Sequence, residues 1–336
     1  MDPQQFGWNE YFSNQHPGGT VGRVALSARE HFVVWTDAGE VEAIPGGALR
    51  NRCAAWPCVG DWVVLRDGRI VVDVLSRRTQ LSRKMPGKGS REQVLAANID
   101  TLFVVSGLDH DYNPRRLERY LVLAHQSGAR PVVLLNKADL RNDFEAVVEH
   151  TKQVVPGVPV FALSALEGWG LEALPAQVER GWTAALIGSS GSGKSTILNR
   201  LLGENRQLTA GVRESDSRGR HTTTRRELFL MAEGWLLMDL PGLRELQLWA
   251  DPEQIDHTFS DITELAGQCR FRDCTHEQEP GCAVRAADLD ESRLRSYRKL
   301  KRELAYLDRQ SDFASTREMK RHCKTIERSM RRHPKR

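Results

Sequence analysis

Gly188, Gly193, Lys194 and Ser195 fit the spacing G-x-x-x-x-G-K-[ST] within the stretch GSSGSGKST. Small residues in this pattern let successive backbone N–H groups turn inward around a phosphate. The lysine brings positive charge to β and γ phosphates, and the serine hydroxyl suits Mg²⁺. Gly188, Ser189, Ser190, Gly191, Ser192, Gly193, Lys194, Ser195 and Thr196 together are the candidate phosphate-binding segment. An apolar run, TAALIGSS, precedes it and KSTILNRLLG follows with a helical pattern. That strand–loop–helix context adds a helix dipole favourable to anions.

A second pattern lies upstream. Asn136, Lys137, Ala138 and Asp139 close another apolar run, PVVLLNKADL. Guanine offers two adjacent donors, N1–H and the exocyclic amine, which one carboxylate accepts together; Asp139 is placed for this and adenine does not match it. Asn136 is expected to hold the loop and reach N7, and the stem of Lys137 to cover the ring face. Ser164, Ala165 and Leu166 follow the next apolar run and match an element whose backbone N–H meets the purine O6. Asn136 precedes Gly188 by 52 positions, the reverse of the usual order for a phosphate loop and a base-reading loop. Convergence in space does not require that order. Loops at the carboxyl ends of parallel strands share one crevice, and chain termini lie close enough for circular permutation to preserve it.

Asp239-Leu240-Pro241-Gly242 fits D-x-x-G at the end of an apolar run. Asp239 is expected to hold Mg²⁺ through water, and the Gly242 N–H to meet a γ-phosphate. Upstream, SRGRHTTTRRE supplies a threonine to complete the Mg²⁺ shell. Thr223 is favoured, with Thr222 and Thr224 as alternatives, in a segment that orders with triphosphate. Leu243 stands where many such proteins carry the glutamine that orients water, so hydrolysis should be slow unaided or use another group. His221 is the nearest candidate; the alternative is an ordinary polar loop residue. Gly191 occupies the position of the asparagine used in potassium-assisted variants, so no potassium requirement is expected.

The run CRFRDCTHEQEPGC gives Cys269-x₄-Cys274-x-His276-x₅-Cys282. Three thiolates and one imidazole make a closed tetrahedral set for structural Zn²⁺. The segment is too short and polar for a core of its own, so metal would supply its folding energy. The alternative is a group of buried reduced cysteines. No position is left open for catalytic zinc, and Cys323 is not expected to be a ligand.

The elements that must position these groups fill a chain of 336 residues, long enough for two or three domains. No apolar run reaches membrane-spanning length. MDPQQFGWNE carries acids and no apolar segment, which reads against a secretory signal. Six cysteines are too few for a disulfide scaffold and suit metal binding in a reducing cytoplasm. The net charge is +4; residues 316–336 hold nine Lys/Arg against two Glu, so the remainder is slightly acidic. Such a tail seeks phosphate backbones, or is simply a solvated end.

From about Thr20 to Arg78 five short β-type runs are separated by DAGE, PGGA, VGD and DGR. They predict a small closed barrel in residues 1–81, an OB-fold ahead of other small barrels or sandwiches. Cys53 and Cys58 there lack a third ligand and read as ordinary thiols. Residues 82–92 read as an exposed linker, with basic residues that also suit RNA. Residues 93–247 alternate strands and helices, a doubly wound α/β domain. NPRRLERYLVLAHQSG is a helix capped by Asn113, with Pro114 first and Gly128 past its end. RELFLMAEGWLLMDLPG reads as a hairpin. Residues 248–336 are mostly helical: one helix over DPEQIDHTFSDITEL, capped by Asp251, and an amphipathic one marked by Leu294, Tyr297, Leu300, Leu304 and Leu307.

NKAD, SAL, GSSGSGKST, RHTTT, DLPGLREL and FRDCTHEQEPGC, in this permuted order, resemble the RsgA family of ribosome small-subunit-dependent GTPases over nearly the whole chain. The resemblance implies an OB-fold, a permuted GTPase domain and a zinc domain. It also implies a cytoplasmic enzyme that hydrolyses GTP to GDP and phosphate, uses Mg²⁺, and acts late in maturation of the 30S subunit with stimulation by the subunit. The implied partners are 16S rRNA and the 30S particle; a monomer is expected. Leu243 agrees with stimulated rather than autonomous hydrolysis. A competing reading is an RNA-binding module in which guanine nucleotide is a structural ligand. A small-molecule kinase is the weakest, because it leaves NKAD unexplained.

Overall fold

The computed structural model describes residues 1–15, 18–28, 30–51, 56–84, 92–203, 226–240, 251–287, 289–307 and 309. The chain divides into two compact units, Met1–Ser82 with Val94–Leu246, and Arg83–Gln93 with Gln247–Arg336.

In the first unit, α1 (Glu10–Ser13) precedes five barrel strands. These are β1 (Thr20–Ala28), β2 (His31–Thr36), β3 (Gly39–Pro45), β4 (Trp62–Arg66) and β5 (Ile70–Val74), with α2 (Gly47–Asn51) after β3. The order β1-β2-β3-β5-β4 closes where β4 pairs back onto β1. β3 and β5 run parallel and the other pairs antiparallel, which is the OB-fold arrangement. Alternate residues point inward: Val24, Phe32, Val34, Val63, Leu65 and Val71 fill the barrel. Cys58 is a buried free thiol bonded to Asp61; Cys53 lies outside the described residues.

The 82–92 segment departs from a plain linker at its ends. β6 (Gln80–Lys84) and β7 (Glu92–Ala97) form a two-stranded sheet. Leu81, Ser82, Leu95, Ala96 and Ala97 are buried; consecutive buried positions mean that these strands are covered on both faces.

The α/β layer contains β8 (Thr101–Gly107), β9 (Arg130–Asn136), β10 (Val160–Ala162), β11 (Thr183–Gly188), β12 (Arg226–Leu230) and β13 (Leu236–Asp239). Their order is β10-β9-β8-β11-β13-β12. All neighbours are parallel except the expected β12–β13 hairpin. Every residue of β8 and β11 is buried, as runs covered on both faces require. Helices α3 (Pro114–Ser127), α4 (Phe144–Val154) and α5 (Lys194–Leu202) accompany the sheet. The Asn113 side chain accepts the N–H groups of Arg115 and Arg116, and Gly128 ends α3 at φ 78°. Phe103, Leu134, Leu163, Leu186, Ile197 and Trp235 share one core.

Barrel and α/β layer, which the sequence presents as separate segments, share one sheet. Leu26 and Ser27 of β1 pair with Glu227 and Arg226 of β12. Arg23, a buried residue of β1, bonds to the Phe6 carbonyl, to Asn98 O at 3.1 Å and to Thr183 Oγ1 at 2.7 Å. Thr183 begins β11, the strand that ends in the phosphate loop.

In the second unit, the helix expected over residues 251–265 is two: α6 (Pro252–Thr258) and α7 (Ser260–Ala266). The break falls at Phe259, φ −115° and ψ 42°, whose ring is fully buried against Tyr297 and the Arg293 guanidinium. Burial of a large aromatic outweighs one lost turn of helix. Asp251 occupies the extended cap position before Pro252. α8 (Ala283–Ala286) follows, and α9 spans 291–307. Leu294, Tyr297, Leu300 and Leu304 are the buried stripe of α9.

Candidate nucleotide site and metal centre

The carboxyl ends of β11, β8, β9 and β10 bring the separated motifs together. Asn136, last residue of β9, is buried; its Nδ2 donates to Ser192 O at 2.9 Å and its Oδ1 accepts the Ala165 N–H at 3.0 Å. One side chain therefore ties the phosphate loop to the Ser164–Leu166 turn. Gly193 must be glycine here: φ is 95°, and a Cβ would lie 2.0 Å from Asn136 Nδ2.

Within the phosphate loop, Ser192 is fully buried and its hydroxyl donates to Ser189 O. Lys194 Nζ donates to Gly188 O at 2.9 Å and Ser189 O at 2.5 Å, which places the ammonium inside the loop. Burial pulls its pKa below the ordinary value, while the carboxylates of Asp239 and Asp111 pull it the other way. Ser189 Oγ donates to Asp111, which also pairs with Arg116. Ser190, Gly191 and Ser195 are exposed around this ring, with Thr196 half-buried.

Lys137 takes the left-handed conformation, φ 63°, at the entrance to the turn Ala138–Leu140. Such strain at a non-glycine residue is a mark of functional loops. Asp139 is exposed, and Ala138 N–H donates to Leu163 O at 3.2 Å. In the Ser164–Leu166 turn the amides are taken up in sequence: Ser164 by Trp169 O, Ala165 by Asn136, Glu167 by Ser164 Oγ and Gly168 by Ser164 O. The Leu166 N–H has no partner among the described residues. Arg200 from α5 holds the turn through Ala165 O at 3.1 Å and through Leu166 O.

Asp239 closes β13, half-buried, where its charge acts on Lys194. With Ser195 it supplies hard oxygen donors of the kind Mg²⁺ takes. His221, Thr222, Thr223, Thr224, Gly242 and Leu243 lie outside the described residues.

Sequence reasoning missed Asp109, Asp111 and Arg200. The acids of GLDHDYNP, directly after a fully buried strand, were the available signal.

The predicted metal ligands converge: Cys269, Cys274, His276 and Cys282 place their ligand atoms within 4.8 Å of one another. Cys269 Sγ and Cys282 Sγ are 3.9 Å apart, and His276 Nδ1 is 3.6 and 3.5 Å from them. A tetrahedron with Zn–S bonds of 2.3 Å has an S···S edge of about 3.8 Å, so the cluster fits one Zn²⁺. The left-handed φ of 59° at His276 turns Nδ1 inward. The Glu279 carboxylate braces the loop, accepting the Thr275, Glu277 and Gln278 N–H groups and the Thr275 hydroxyl.

A parallel sheet carrying a phosphate loop and a guanine-reading loop in reversed order defines a circularly permuted GTPase. The model of the RsgA GTPase family matches residues 74–249. A protein of Opitutus terrae named "Small ribosomal subunit biogenesis GTPase RsgA" is 44% identical, with 93% of this chain and 92% of that protein aligned. One of the same name from Methanosarcina acetivorans is 46% identical over 91% and 86% of the two chains. Among solved structures, YjeQ from Thermotoga maritima matches with a TM-score of 0.64 and 26% identity, covering 85% of this chain and 98% of that one. The chain belongs to the RsgA GTPase family, and is a GTP hydrolase.

Proposed function

We propose that this GTPase acts in biogenesis of the small ribosomal subunit, docking on the 30S particle through 16S rRNA and hydrolysing GTP with stimulation by the subunit. The observation that carries the nucleotide part is the Asn136 side chain bonded at once to Ser192 and Ala165, because it makes one site of two motifs that the chain separates. The names borne by the relatives support the ribosomal part. In this reading Asp139 reads guanine, Lys194 and the amides of residues 188–193 hold the phosphates, and Leu166 N–H meets O6. Ser195, Asp239 and Thr223 would hold Mg²⁺, which draws electron density from the phosphate oxygens. Gly242 N–H senses the γ-phosphate and His221 positions water. The four-ligand zinc cluster folds its own segment, and the OB-fold and basic tail supply phosphate-backbone affinity. The protein works as a monomer in the cytoplasm, in segments 1–81, 82–92, 93–247 and 248–336.

Phosphate release measured with and without purified small subunits tests this. Stimulation by the subunit is the expected result. Leu243, in place of a water-orienting glutamine, favours one other reading, nucleotide as a regulatory ligand of an RNA-binding protein; tight GTP binding without stimulated turnover would select it.

A further inference from the structure

Asp109 lies in none of the nucleotide motifs, yet it is bonded to one. β8 and β9 pair in parallel with Gly107 opposite Asn136, so the residues that leave the two strands emerge side by side. Leu108 N–H donates to Asn136 O at 2.7 Å and locks that register one step further. Asp109 is thereby set beside Lys137. Its Oδ2 accepts from Lys137 Nζ at 2.6 Å, and its Oδ1 accepts the Asp111 N–H at 2.9 Å. The carboxylate is thus fixed at both oxygens, one by its own loop and one by the lysine. The Asp109 side chain is only 14% exposed and that of Lys137 30%. Gly107 leaves the room: a Cβ there would lie 2.9 Å from Asp109 Oδ1 and 3.5 Å from Lys137 Cδ.

A lysine that uses its methylene stem as a cover has a problem of entropy. A free Lys side chain carries a large rotamer entropy, and the stem covers a ring best when its far end is held. We propose that Asp109 is a positioning residue for guanine-nucleotide binding: it anchors the Lys137 ammonium so that the lysine stem is already extended along the purine-binding face before the base arrives. The same loop reaches the phosphate side through Asp111 and Ser189. Residues 107–111 therefore brace both the Lys137 and the Ser189 sides of the candidate site. The inference deepens the guanine-nucleotide reading and rests on it.

The stem covers any purine-like ring, so Asp109 should set affinity and not base choice. It should act equally on GDP and GTP, since it lies on the base side. The test is equilibrium titration of the full-length protein with a fluorescent derivative of GDP and of GTP, for Asp109→Ala, Asp109→Asn, Lys137→Met and the double variant Asp109→Ala/Lys137→Met. Methionine keeps an apolar stem and has no ammonium to anchor. The expected result is a rise in Kd of about five- to tenfold for Asp109→Ala, between the effect of an exposed ion pair and that of a buried charge-assisted bond, the same for both nucleotides. KM for GTP rises in step while kcat at saturation holds. Lys137→Met shows a comparable loss, and the double variant is no weaker than Lys137→Met alone, because the carboxylate then has nothing to anchor. Wild-type affinity in Asp109→Ala, or losses that add fully in the double variant, would overturn the proposal. Should Asp109→Ala melt below the assay temperature, Asp109→Asn, which keeps the shape and drops the charge, gives the same reading. Asp139→Asn serves as the separate control: if it fails to alter base preference, the guanine reading itself is at fault rather than the anchor.

Discussion

Asn136 Nδ2 donates to the carbonyl of Ser192 across 2.9 Å and 56 positions of chain. With the Ala165 bond at its other end, this buried amide is the joint of the permuted site. Asn136→Ala leaves the Ser192 carbonyl and the Ala165 amide without their partner. A buried group so orphaned costs about 1–3 kcal/mol, so the variant should unfold at lower denaturant and bind guanine nucleotide at least about tenfold more weakly. Denaturant titration and nucleotide titration read the two effects; unchanged affinity would show that the loops do not depend on the joint.

Asp139 is exposed, so its replacement should leave the fold alone. Asp139→Asn turns an acceptor pair into one acceptor and one donor. Xanthine presents a carbonyl where guanine presents the amine, so the variant should prefer xanthosine triphosphate over GTP. Stability should stay within about 0.5 kcal/mol of wild type. Competition between the two nucleotides measures the switch, and retained GTP preference would remove Asp139 from the base contact.

The four-ligand cluster should carry one zinc per chain, countable by elemental analysis. Cys282→Ser removes a ligand that sits 3.5 Å from His276 Nδ1 and should release the metal. Loss of zinc from the second unit should leave nucleotide binding by the first unit in place. Zinc binding should also fail in acid, because thiolate and imidazole ligands must give up protons to bind it. A reduced wild-type protein with no zinc would refute the assignment.

Asp261 on α7 pairs both oxygens at 2.8 Å with Arg293, a buried residue of α9. Burial alone would raise the Asp261 pKa, but the arginine and nearby backbone N–H groups overcome it and hold it below the usual carboxylate range. The stabilisation is therefore present above the unfolded pKa of about 4 and is lost as pH falls through the lower folded value. Asp261→Asn should cost about 1–2 kcal/mol at neutral pH after allowance for partial exposure. It should also flatten the acid limb of the stability curve below about pH 4. Thermal melts of the two proteins from pH 2 to pH 7 check both; parallel curves would remove Asp261 from acid unfolding.

Much of this molecule is encoded in local sequence. Strand periods predicted the barrel from residues 20–78, the spacing of Gly188, Gly193 and Lys194 located the phosphate loop, and Asn113, Pro114 and Gly128 bounded α3. Local chemistry decides these features: side chains alternate with a period of two, glycine alone tolerates the required φ, and caps satisfy helix ends. The four residues of the candidate metal cluster were legible for the same reason, since they fall within fourteen residues.

Long-range pairing was not legible. The edge join of β1 to β12, the helix break at Phe259 and the ion pair of Lys137 with Asp109 appear only in the folded chain. Each depends on which strand lies beside which and on where a large side chain finds space, and nothing in the local pattern encodes that. The residue types at 136, 139, 188 and 194 made a candidate guanine-nucleotide site chemically available; parallel order in the sheet, which sets four carboxyl ends at one edge, brings the candidate loops together.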